Sequence, residues 1–166
     1  VTIATRGSSI GMAGPAMIEF GGMGKIAAPD IGPTEMQAKN GVVDIVADDE
    51  AHATALAKKA LSYFQGTREG WEVADQAALR ELLPRDRRYA YAVRPVVETL
   101  ADVGSFLELR RAYGGSVVTG FMRIEGRPMG VVASDCQQMA GAVDVVASEK
   151  LASFMELCDA FGLPIV

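Results

Sequence analysis

Residues 117–124 read Val-Val-Thr-Gly-Phe-Met-Arg-Ile. Val117, Thr119, Phe121 and Arg123 alternate there with Val118, Gly120, Met122 and Ile124, the period-two spacing of a β-strand. Glu125-Gly126-Arg127 reads as a turn and Met129 to Ala133 as a returning strand, so the pattern predicts a hairpin. Helical spacing takes over elsewhere. Leu56, Ala57, Ala60, Leu61 and Phe64 fall on one helical face, with Asp48 or Asp49 as cap, Glu50 in the first turn and Gln65-Gly66 as the stop. A second helix is predicted from a Ser148 cap, with Leu151, Phe154, Met155, Cys158 and Phe161 on one face and Gly162 ending it. Residues 163–166, Leu-Pro-Ile-Val, begin a strand.

The amino-terminal third is more broken. Val-Thr-Ile-Ala-Thr opens as a strand. Gly11, Gly14 and Pro15 interrupt it before an apolar run from Ala16 to Phe20, which Gly21, Gly22 and Gly24 close. An Asn40-Gly41 turn leads to a strand predicted over Val42 to Val46. From Thr67 to Arg94 the chain turns charged, with a short helical pattern at Ala77 to Leu82 before Pro84, and reads as a connector. Apolar periodicity resumes at Pro95, broken by a turn at Asp102-Val103-Gly104-Ser105. The 18 glycines cluster over Gly7–Gly41 and Gly104–Gly141, which suggests two structured lobes.

Composition narrows the function classes. A net charge of −5 with dispersed Lys and Arg argues against nucleic acid or an anionic membrane surface as partner. No apolar run is long enough to span a bilayer. Two cysteines, Cys136 and Cys158, are too few for a disulfide framework or a four-cysteine zinc site, and read as reduced thiols. The abrupt strand-like start and finish suggest a piece of something longer. His52, the lone histidine, reads as a surface residue, with no acid or nucleophile expected beside it. Cys158 reads as a buried small hydrophobe, and Cys136 has no adjacent base to activate it. Gly-Gly-Met-Gly-Lys at 21–25 has the wrong spacing for a phosphate loop. What remains is main chain. Met-Ala-Gly-Ala-Val-Asp at 139–144 and Gly-Met-Ala-Gly-Pro-Ala-Met at 11–17 are glycine-bearing turns that can either aim N–H groups at a developing oxyanion or serve as ordinary loops.

These same stretches carry a resemblance. Asp102 to Leu109, Val117 to Ser134, Ala140 to Asp144 and Ser148 to Val166 resemble, in order and spacing, the opening of the second domain of the carboxyltransferase (beta) subunit of biotin-dependent acyl-CoA carboxylases. Ile3 to Phe64 resembles the close of its first domain, and Leu82 to Leu100 its connector. The resemblance implies an α/β, crotonase-like fold of ββα units. Residues 1–66 would end one domain, 67–94 connect, and 95–166 open the second. It further implies carboxyl transfer from carboxybiotin, held on a biotin carboxylase/biotin carrier partner, to the α-carbon of a coenzyme A thioester. Two oxyanion holes of main-chain N–H groups would stabilise the thioester and biotin enolates. A homo-oligomer in the cytoplasm, or in the mitochondrial matrix of a eukaryote, is expected.

On this resemblance Gly11, Met12, Gly14, Pro15 and Ile18 face the acyl-thioester. Ala140 and Gly141 supply catalytic N–H groups on the biotin side, and Ser134 contacts substrate. Lys25 and Arg127 are candidates for coenzyme A phosphates, against a solvated surface charge. The family's principal glycine-rich holes would lie before Val1 and after the strand that Pro164 begins, so the chain alone is expected to be inactive. Ala92 stands where the family usually has Asp, and Ser134-Asp135 where Asn is usual. Two rival readings stay open: a biotin-independent acyl-CoA decarboxylase or hydratase of the same fold, and a non-catalytic assembly module.

Overall fold

A computed structural model describes residues 1–86 and 88–166. Strand β1, Ile3–Thr5, pairs in parallel with β2, Ile45–Ala47, Ile3 lying opposite Ile45. Parallel pairing demands a crossover, and the intervening chain supplies helices α1, Pro15–Phe20, and α2, Thr34–Lys39. Ala4, Ala38 and Val43 form the small core beneath it. Fully buried Thr34 ties the crossover back, its hydroxyl 2.8 Å from the Ser8 hydroxyl. The predicted strand starts later than Val42 for a local reason. The N–H groups of Val42 and Val43 both donate to the Gln37 carbonyl at the end of α2, at 3.0 and 3.1 Å, and are lost to the sheet.

Helix α3, Glu50–Ser62, is capped by Asp49, whose carboxylate accepts the His52 N–H at 2.7 Å. Its inward face differs from the expected one. Leu61 is 61% exposed, whereas Tyr63, just past the last turn, is buried. The Tyr63 hydroxyl donates to the Ser105 carbonyl, and its ring packs 5.3 Å from that of Phe121. Within the charged stretch a turn of 3-10 helix at Gln76–Ala78 leads into α4, Leu79–Leu82. Helix α5, Val93–Leu100, starts before the connector's expected end and buries Val93 and Val97.

The second sheet is antiparallel in the order β3 (Leu107–Leu109), β4 (Val117–Ile124), β5 (Arg127–Ser134). Its hairpin turn is only two residues long. Glu125 and Gly126 both have positive φ, 50° and 75°, and Arg127 already pairs with Ile124. The buried Asp102 carboxylate takes both turn N–H groups, at 2.9 and 2.7 Å. Strand β4 has core on both faces. Phe121 joins Tyr63, Leu107, Phe154 and Cys158, while Val118 and Met122 join Val93, Val97 and Val131. At about 1.5–3 kcal/mol per fully buried large apolar side chain, this strand is the main hydrophobic anchor of the fold.

Helix α6, Val145–Ala160, begins three residues before the expected Ser148 cap, because the Asp144 carboxylate accepts the Ala147 N–H at 2.8 Å. That start brings Ala147, Lys150, Phe154 and Cys158 onto the sheet and leaves Met155 and Phe161 half or more exposed. After α6 the chain returns alongside β5. Gly130 N–H donates to Pro164, Val132 N–H to Val166 and Val166 N–H to Gly130, a parallel ladder of 2.8 to 3.0 Å. Gly130 is needed there, since a Cβ would lie 2.7 Å from the Cys158 sulfur. No described helix is long and apolar enough to cross a membrane.

Candidate functional site

The loop between β5 and α6 carries the less ordinary backbone. Met139, Ala140 and Gly141 are consecutively left-handed, at φ 48°, 54° and 78°. Two of the three are not glycine, and L-residues enter that region as single positions at a cost of roughly 1–2 kcal/mol each. The turn is closed by Gly141 N–H to the Gln138 carbonyl at 2.8 Å and Ala142 N–H to Met139 at 3.0 Å. The Ser134 hydroxyl donates to the Gly141 carbonyl at 3.2 Å, joining the two ends of the loop. The two N–H groups expected to point outward therefore differ. Gly141 uses its own inside the turn, whereas exposed Ala140 forms no main-chain hydrogen bond among the described residues.

Beneath the turn lies a cluster that sequence reading missed. Arg94 on α5 forks onto Glu108 of β3 through Nε, at 3.1 and 3.0 Å, and through Nη2, at 2.6 Å. Its Nη1 reaches the Asp135 carboxylate at 2.6 Å. Both carboxylates are almost wholly buried, at 9% and 3% side-chain exposure, and share this one guanidinium as counter-charge, with Arg111 also 3.7 Å from Glu108. Glu108 first, then Asp135, push the Arg94 pKa upward against burial, and the charge is permanent. Beside Asp135, the half-buried Cys136 sulfur sits 3.3 Å from both the N and the O of Tyr91. The available signal was an Asp directly after a strand and two residues before Gln137, whose N–H it accepts at 3.1 Å.

Gly11, Met12, Gly14 and Pro15 line an open cavity of about 230 Å³ with Ser9, Ala13, Ala28 and Ile31. Ile18 is not among its lining residues, nor is any residue of the Ser134–Asp144 loop. Gly11 is spatially required, because a Cβ would lie 2.8 Å from Ile31. Pro15 occupies the first turn of α1, where its missing N–H is harmless, and that helix buries none of its residues. Met12, Met17, Phe20 and Met23 are all exposed, so this segment presents an apolar rim.

The remaining candidates separate from these two places. Lys25 pairs with Glu19 at 3.4 Å, and Arg127 is exposed at the start of β5. His52 does have an acid beside it, contrary to expectation. Asp48 lies 3.2 Å from its Nδ1 but also binds Arg6, in an exposed surface cluster. Cys158 is buried and its thiol pKa is pushed up to about 11, which makes it inert at neutral pH. Another cavity, about 300 Å³, is lined by Lys59, Arg68 and Arg123 among others. Two of those cations are already held by carbonyls, Lys59 by Gly104 and Phe106, and Arg123 by Ser62, Gly66 and Gly126.

A parallel pair crossed by glycine-bearing turns is followed by a helix-backed antiparallel sheet, the mixed helix-and-strand arrangement of an α/β, crotonase-like fold. The chain belongs to the carboxyl transferase domain family, whose model matches residues 1–166. It is 33% identical to the methylmalonyl-CoA carboxyltransferase 12S subunit of Propionibacterium freudenreichii subsp. shermanii, over 99% of this chain and 33% of that protein. It is 38% identical to a propionyl-CoA carboxylase beta chain of Rhodococcus erythropolis, over 81% of this chain and 30% of that one. Among solved structures, a single-chain, multi-domain long-chain acyl-CoA carboxylase superposes with a TM-score of 0.97 at 48% identity, covering 99% of this chain and 16% of its own. The transcarboxylase 12S hexamer, with methylmalonyl-coenzyme A bound, gives 0.84 at 31%, covering 98% and 34%. The chain thus spans about a third of the length of the curated relatives it matches.

Proposed function

We propose that the polypeptide to which this chain contributes transfers a carboxyl group between a biotin carrier and the α-carbon of an acyl-CoA thioester. The observation that carries the reading is the match of residues 1–166, end to end, to the carboxyl transferase family. In the transfer a C–N bond to the ureido nitrogen breaks, a C–C bond to the α-carbon forms, and the α-proton leaves to that nitrogen. Biotin supplies the labile carboxyl group. The chain's own residues orient and polarise. Gly11, Met12, Gly14 and Pro15 would border the thioester, and the apolar rim from Met12 to Met23, Ile18 included, would receive acyl carbon. Ala140 would offer on the biotin side an N–H that takes no main-chain partner among the described residues, with Gly141 and Ser134 holding the turn in shape. Such donors act by being aligned before charge develops, and losing one typically slows turnover by about 10²–10³.

The reading divides the chain into 1–66, the end of one crotonase-like domain, 67–94, a connector, and 95–166, the start of a second. It also implies a biotin carboxylase/biotin carrier partner, a homo-oligomer and a cytoplasmic or mitochondrial-matrix setting. The test is carboxyl transfer from methylmalonyl-CoA to free biotin. The full-length polypeptide is expected to turn over only when biotin is present, and residues 1–166 alone to show no turnover. Loss of the carboxyl group without biotin would favour a decarboxylase of the same fold instead. Turnover by the 166-residue chain alone would refute the assignment of essential donors outside it.

A further inference from the structure

We infer that Arg94 and Asp135 are positioning residues that hold the left-handed turn at Met139–Gly141 in its working shape. What the turn serves rests on the biotin-side reading above; that the pair holds it rests on the contacts alone. Consecutive left-handed residues that are not glycine persist only where their surroundings over-determine them. Here the surroundings act at the base of the loop. Asp135 is 2% exposed and engaged at four points. Its carboxylate takes Arg94 at 2.6 Å and the Gln137 N–H at 3.1 Å, its N–H donates to Ser116 at 2.8 Å, and its carbonyl takes the Gln138 N–H at 3.0 Å. Gln138 is the residue whose carbonyl closes the turn on Gly141.

Arg94 cannot follow a drifting loop, because its other nitrogens are forked onto Glu108 of β3. A second fastening lies alongside, where Tyr91 holds the Cys136 sulfur through both its N and its O. The stretch from Tyr91 to Arg94 therefore clasps the loop at two adjacent residues. Removing the guanidinium would leave the buried Asp135 carboxylate without its cationic partner, and Glu108 with only Arg111 at 3.7 Å. The carboxylate regains water by pulling the base of the loop outward, and the turn above it moves.

The experiment uses the full-length polypeptide carrying Asp135→Asn, Arg94→Gln, both together, or Arg94→Lys. Asp135→Asn is the principal variant, since it keeps the volume and the acceptor for Gln137. Methylmalonyl-CoA and free biotin are the probes, and amide hydrogen exchange reads the loop directly. We expect kcat/KM for biotin to fall at least about tenfold in each single variant, as for a small misplacement of a reacting group. The KM for methylmalonyl-CoA should stay within about twofold, the double variant should lose little more than either single one, and Arg94→Lys should recover part of the loss. Amides 137–142 should exchange faster, with those of α6 unchanged. Unaltered loop exchange in Asp135→Asn, or losses that simply add, would overturn the positioning role and leave the biotin-side reading standing. Faster exchange and coupled losses that fall on the KM for methylmalonyl-CoA, with biotin kinetics intact, would overturn the biotin-side reading.

Discussion

Lys150 invites a direct test of how this fold handles a buried charge. It sits fully buried on the inner face of α6, and its ammonium donates to the Val117 carbonyl at 2.6 Å and to Gly114 at 3.4 Å. Carbonyls rather than a carboxylate receive it. Burial therefore lowers its pKa from 10.5 to about 8, with Glu108 partly opposing and Arg94 and Arg110 adding to the fall. Between those two values the unfolded chain holds a proton that the folded chain has released, so stability rises with pH through that window. Moving one titration by that much is worth about 3 kcal/mol, at 1.36 kcal/mol per pH unit. Cys158 works in the opposite sense. Its thiol pKa is raised from 9.0 to about 11 by burial, so it withdraws stability as pH climbs from 9 to 11. Tyr63, also raised by burial, adds to that withdrawal at higher pH. The clean interval is pH 8 to 9. Urea unfolding of the wild type and of Lys150→Met should diverge there, the wild type gaining about 1 kcal/mol on the variant. Parallel profiles across that interval would refute the coupling of Lys150 ionisation to folding.

Two substitutions probe the scaffold that holds the site. Phe121→Ala removes a ring packed against Tyr63, Phe64 and Phe154, and should cost about 3–5 kcal/mol in denaturant unfolding. A loss under about 1 kcal/mol would mean that the cluster is not a shared core. Gly126→Ala places a Cβ against the Arg68 carbonyl at a φ of 75°, and should lower stability by about 1–3 kcal/mol. Near-wild-type melting would argue that the Arg68 segment does not dock on the hairpin.

The hairpin was legible because period-two spacing and a Glu-Gly turn agree, and the same spacing was silent about β4 being covered on both faces. Helix α6 was legible as a helix but not in phase. Val145 and Val146 follow Asp144 and resemble strand residues, so the eye moves on to Ser148; the Asp144 side chain decides otherwise. Nothing local marks Lys150 as buried, since a charged residue reads as solvated until the element opposite it is known. The candidate loop could be found by its glycine. Its geometry could not, because the residues that fix it, Tyr91, Arg94 and Glu108, come from the charged stretch, a helix and another strand, 45, 41 and 27 positions away in sequence from their partners or neighbours in the loop.

The packing of α3 has a bearing on where such a chain can be divided. By sequence this helix belongs with the first sheet, yet Ala60 and, just beyond its end, Tyr63 lie in the core of the second, with Leu107, Phe121 and Phe154. Arg123 of β4 reaches back to the Ser62 and Gly66 carbonyls. Parting the chain in the charged stretch would take the Tyr63 and Phe64 rings from Phe121 and leave it only the cover of Leu107, Phe154 and Cys158. The change of character along the sequence is therefore not a break in the packing, and the second sheet keeps its full aromatic cover only while α3 stays against it.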